Sequence, residues 1–77
     1  MAMRETVNGI TYKTGGRYKY IYKIDWSSGR TIGKHLLDER AKKEIQDFDY
    51  DPYDNMKTFI FMREMYERLE WEEEIKR

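Results

Sequence analysis

Residues 17–26, RYKYIYKIDW, alternate with a period of two. Even positions Tyr18, Tyr20, Tyr22, Ile24 and Trp26 fall on one side of a β-strand. Odd positions Arg17, Lys19, Ile21, Lys23 and Asp25 fall on the other. Such a strand has one aromatic face and one mostly basic face. A chain built around it needs a second layer to cover the rings.

Little chain is available for that layer. The sequence has 77 residues, and 39% of them are charged. Residues 1–77 therefore read as one small domain, burying only ~60% of the surface its unfolded chain exposes. An aromatic content of 16% offsets the thin core, because each ring buries a large area. A deep substrate cavity is not expected at this size. Without cysteine, disulfides and thiolate metal sites are excluded. The start, Met1 to Glu5, lacks the apolar run of a signal peptide. The most apolar window, Phe59 to Met62, is far too short to span a bilayer. The expectation is a cytoplasmic protein.

The loops set the predicted topology. Asn8-Gly9 is a turn signal within residues 4–14, read here as a bulge or irregular entry into one strand, because Met1 to Thr6 make a poor partner strand. Across Thr14-Gly15-Gly16, a three-residue loop sets Tyr12 opposite Tyr18 and Ile10 opposite Tyr20, keeping the apolar residues on one face. The same logic at Ser27-Ser28-Gly29 pairs Trp26 with Arg30 and Ile24 with Ile32. The result is a three-stranded antiparallel meander. Its aromatic face holds Ile10, Tyr12, Tyr18, Tyr20, Tyr22, Ile24, Trp26 and Ile32. Its other face holds Thr11, Lys13, Arg17, Lys19, Ile21 and Lys23.

From Leu36 the period changes to that of a helix, with Leu37, Ala41, Ile45 and Phe48 as the stripe. Asp51-Pro52 reads as the N-cap and first residue of a second helix. That helix carries Phe59, Met62, Tyr66 and Leu69 on its apolar side, widened by Ile60, Phe61 and Met65. Residues 57–62 also have strong β propensity and would suit a fourth strand. The predicted fold is a two-layer α+β domain of order β-β-β-α-α, with both helices on the aromatic sheet face.

The charge is uneven although it sums to zero. Residues 1–35 carry seven Lys/Arg and two acids; residues 36–77 carry eight and thirteen. Two candidate surfaces follow. The first is acidic: Asp47, Asp49, Asp51 and Asp54 interleaved with Tyr50 and Tyr53, extended by Trp71, Glu72 and Glu73. Carboxylates supply complementarity to a basic groove and tyrosines supply contact area. The second is basic: Lys13, Arg17, Lys19 and Lys23, with Arg4, Arg30 or Lys34 at the rim, suited to phosphates. Exposed rings on an open sheet would also stack bases, but here the rings are assigned to the core.

Catalytic and metal chemistry find little. The Asp47 to Asp54 run resembles a calcium loop only in part, with Pro52 where a glycine is needed and Thr58 where a glutamate is needed. His35 is the single histidine, so no zinc set can be assembled. No nucleophile, base and orienting group come together. No cofactor is expected.

The leading expectation is a non-catalytic protein-binding module that acts stoichiometrically. An inhibitor or accessory factor, such as a phage anti-host-defence protein, would present its acidic, tyrosine-bearing surface to a basic groove that normally holds nucleic acid. The alternative is a small nucleic-acid-binding domain using the basic face of its sheet.

Overall fold

A computed structural model describes residues 2–15 and 19–76. Four strands run in order as one antiparallel sheet: β1 (Arg4–Val7), β2 (Ile10–Thr14), β3 (Tyr20–Asp25) and β4 (Thr31–Leu36). Two helices follow, α1 (Glu39–Asp47) and α2 (Asn55–Ile75). The fold is α+β, with four strands rather than three.

The additional strand comes from Asn8-Gly9. Both residues have positive φ, 51° and 80°, and they link Val7 directly to its partner Ile10. That is the two-residue hairpin turn that Asn-Gly favours, not a bulge. The Met3 carbonyl accepts from the Thr14 amide at 2.9 Å, and Thr14 Oγ1 accepts from the Met3 amide at 3.0 Å. Met3 is thereby held in the core at 4% exposure, an anchor the sequence reading did not count.

The β2–β3 register also differs from expectation. Tyr12 lies opposite Lys23, Lys13 opposite Tyr22 and Thr14 opposite Ile21. The predicted partner Tyr18 lies outside the described residues, as does Arg17. The shift is odd in number, so β3 turns over relative to β2. Ile21, assigned to the basic face, is fully buried in the core. Tyr20, Tyr22 and Ile24, assigned to the core, lie on the other side of the sheet. Trp26 and Ile32 are exposed at 64% and 54%.

Between β3 and β4 the closing bond runs from the Asp25 amide to the Arg30 carbonyl at 2.9 Å, so the loop is longer than predicted. Asp25 accepts from the Ser27 and Ser28 hydroxyls, which hold its carboxyl below the usual Asp value. Ile24 pairs with Thr31 and Lys23 with Gly33, leaving Ile32 as the extra residue of a bulge. Beyond it Tyr22 lies opposite Lys34 and Tyr20 opposite Leu36, which is the frame predicted for this pair.

Helix α2 is about 31 Å long at ~1.5 Å per residue and touches all four strands. It buries Phe59, Met62, Met65, Tyr66 and Leu69 against Met3, Tyr12 and Ile21. Residues 57–62 are helix. Tyr12 centres the core, its ring 5.3 Å from Phe59 and 5.4 Å from Tyr66. Helix α1 adds Ala41 and Ile45, as its spacing predicts, and Phe48 stacks on Phe61 at 4.2 Å. Helices and core occupy one side of the sheet.

Candidate nucleic-acid interface

Strand pairing assigns each side chain to a side of the sheet. The helix side carries Glu5, Val7, Ile10, Tyr12, Thr14, Ile21, Lys23, Gly33 and His35. Lys23, a candidate phosphate ligand by sequence, therefore sits on the helix side, its ammonium 5.8 Å from the Tyr66 ring centroid. His35 is likewise enclosed, with its ring edge against Tyr66 and Nδ1 2.6 Å from Glu73 Oε2.

The opposite face carries Arg4, Thr6, Thr11, Lys13, Tyr20, Tyr22, Ile24, Thr31, Lys34 and Leu36. Among the described residues no helix covers it and no carboxylate lies on it. Thr6 and Thr11 share a 2.6 Å hydroxyl hydrogen bond there. One row crosses all four strands: Arg4 opposite Lys13, Lys13 opposite Tyr22, Tyr22 opposite Lys34. Like charges directly opposite each other destabilise a sheet, and nothing acidic in this row relieves Arg4 and Lys13.

The cations lie against the rings. Lys13 Nζ is 5.5 Å from the Tyr22 centroid, and Lys34 Nζ is 4.7 Å from that of Tyr20. Lys19 reaches Tyr20 from the strand's start at 5.8 Å. Contacts of this type at exposed sites contribute only ~0.5–1 kcal/mol, so an incoming ligand can displace them. The two tyrosine centroids are 6.1 Å apart. Shallow depressions of about 420 and 430 Å³ flank the pair. Arg4, Lys13 and Tyr22 line one; Tyr20, Lys34 and Leu36 line the other, at the sheet edge where Asp38, Glu72 and Glu73 complete its wall.

No family model, curated protein or solved structure matches this chain. Its chemistry is read from its own surfaces.

Ion pairing separates those surfaces. Arg68 joins Asp38, Glu44 and Glu72 at 3.2–3.5 Å and ties α1 to α2. Arg40, Lys42, Lys57 and Arg63 pair with acids of the helices and their connector. Among the described residues, Arg4, Lys13, Lys19, Lys23, Arg30 and Lys34 enter no ion pair. The basic half thus keeps its charge available, and the acidic half neutralises much of its own.

The predicted acidic surface is divided. Asp51 accepts from the Tyr53 amide at 2.9 Å and Asp54 from the Lys57 amide at 3.0 Å. Asp54, not Asp51, is the N-cap of α2. Asp49 lies 3.9 Å from the Lys57 ammonium, which also donates to the Asp49 carbonyl. Asp47 ends α1; Tyr50 and Tyr53 are exposed, Tyr53 at 97%. Trp71, Glu72 and Glu73 lie at the far end of α2, about 26 Å from Asp54 at ~1.5 Å per residue. Glu72 is engaged by Arg68 and Glu73 by His35. No described helix is long and apolar enough to cross a membrane.

Lys13 and Lys19 were found from sequence, whereas Arg4 and Lys34 were placed only at the rim. Tyr20 and Tyr22 were recognised as a stacking platform and then given to the core. The signal that would have kept them outside is Ile21, the one aliphatic residue among the odd positions 17–25.

Proposed function

We propose that this protein is a non-catalytic nucleic-acid-binding module that uses the open face of its sheet. The carrying observation is the row Arg4–Lys13–Tyr22–Lys34, with Tyr20 beside it and no carboxylate on that face among the described residues. Unpaired cations on a broad surface supply the sequence-neutral attraction to phosphates, and counterion release makes it salt-dependent. The competing reading, an acidic surface offered to a protein partner, has less support. Asp51 and Asp54 serve as turn and helix caps, Asp49 lies by the Lys57 ammonium, and its two parts stand at opposite ends of α2.

Fluorescence anisotropy with a labelled oligonucleotide tests the reading. Four participating cations give a slope of log K against log salt near −3, from ~0.7 per neutralised phosphate on a single strand. Reversing charge at Lys13 and Lys34 together should abolish binding at moderate salt, while reversing Lys42 on α1 should change little. Absence of binding at low salt, or binding indifferent to the double reversal, would remove the proposal.

A further inference from the structure

We infer that the ligand of the open face is single-stranded nucleic acid, with successive bases stacked on Tyr20 and Tyr22 and the flanking phosphates on Arg4 and Lys13 to one side and Lys34 to the other. This rests on the nucleic-acid reading above and narrows it to one class of strand.

Three observations carry it. First, the rings are side by side on a central strand, with centroids 6.1 Å apart and lysine ammonium groups against them. An aromatic ring gains most from a base whose face is free, and a duplex keeps its base faces stacked on one another. Second, the face is too broad for an undistorted groove. Four strands at ~4.8 Å spacing put the outer strand axes about 14 Å apart before side chains are added. The B-DNA major groove is only ~12 Å wide and admits a two-stranded ribbon. Third, Arg4 and Lys13 stand on one side of the tyrosines and Lys34 on the other, in line across the strands. A single strand laid along β3, between these cations, places its bases over Tyr20 and Tyr22 and its phosphates within reach of the cations on either side.

Binding then works by exchange. A base displaces the ammonium groups from the rings, and the released lysines turn to the phosphates on either side. Base stacking is the stronger contact, so the exchange runs toward the complex.

The test compares a single strand of about 12 nucleotides, within the usual range of single-strand site sizes, with its blunt duplex. Deoxyribo and ribo strands are both used, and tight binding of either supports the proposal. The single strand should bind at least roughly tenfold tighter than the duplex. Tyr20→Ala and Tyr22→Ala should each weaken single-strand binding about 5- to 100-fold and leave duplex binding nearly unchanged. Tyr20→Phe and Tyr22→Phe keep a ring and should restore single-strand affinity, which separates stacking from a folding defect. Equal affinity for both forms, or alanine variants that bind as well as the parent, overturns the stacking assignment. In that event a salt-dependent, Lys13- and Lys34-dependent association would still uphold the broader function. Failure of every oligonucleotide to bind overturns both.

Discussion

Gly33 shows how tightly the helix side of β4 is filled. A Cβ at this position would collide with the Tyr66 hydroxyl. Gly33→Ala should therefore cost about 1–3 kcal/mol, the range for overpacking, read as a lowered urea midpoint. Tyr66→Phe in the same chain removes the colliding oxygen and should recover part of the loss. The two core phenols also set an alkaline limit. Burial raises the pKa of both Tyr12 and Tyr66, aided by Glu67 at Tyr12 and Glu70 at Tyr66. Below the ordinary value of 10.0 both phenols are neutral folded or unfolded, and their contribution to stability is complete. As pH rises through that value toward the folded one, the unfolded chain ionises first and stability falls. Tyr66→Phe should flatten the decline in urea midpoint between about pH 9 and pH 11; an unchanged decline would remove Tyr66 from the account. Residue chemistry also explains why the faces of β3 were misread. Counting rings put Tyr20 and Tyr22 inside, yet tyrosine tolerates a wet face. Lys23 tolerates the helix side because its ammonium finds the Tyr66 ring.

At the scale of elements, the helices were legible because a spacing such as Ala41 to Ile45 survives any choice of register, although α1 starts later than expected: Leu36 ends β4 and Leu37 precedes the N-cap Asp38. Their caps were less so. Asp51-Pro52 carries the stronger sequence signal, but α2 starts one turn later under Asp54, whose carboxylate accepts from Lys57. Asp54→Ala should cost about 1 kcal/mol of stability, and Asp51→Ala, which loses only a turn contact, clearly less. Chemical denaturation of the two variants decides the order. β1 was missed for a different reason. Its apolar content is a single Val7, and the residue that ties it down, Met3, lies just before it. The β3–β4 frame was read correctly over most of its length, because the bulge at Ile32 absorbs the error in loop length.

At the scale of the molecule, the acidic half pairs part of its charge within α1 and α2 and, through Arg68, between them, while Arg4, Lys13 and Lys34 stand on the open face without an ion pair among the described residues. Such an arrangement opposes stability. Arg4 and Lys13 repel each other across β1 and β2 with no acid between them on that face. Lys13→Thr should accordingly gain a few tenths to about 1 kcal/mol of stability and lose oligonucleotide affinity; thermal melts and anisotropy together read the opposite signs. A melt that falls along with affinity would make Lys13 a structural residue instead. The platform's backing has a consequence of its own. β3 is hydrogen-bonded on both sides, and Ile21, between the two tyrosines, is wholly enclosed beneath them. The rings therefore stand on backbone that is already ordered in the free protein. Association need only immobilise lysine and arginine side chains, at about 0.5–1.5 kcal/mol each, with no loop or strand to fold. Backbone amide order parameters along β3 should be as high before a ligand arrives as after it, so that recognition registers in side-chain entropy while the backbone stays unchanged.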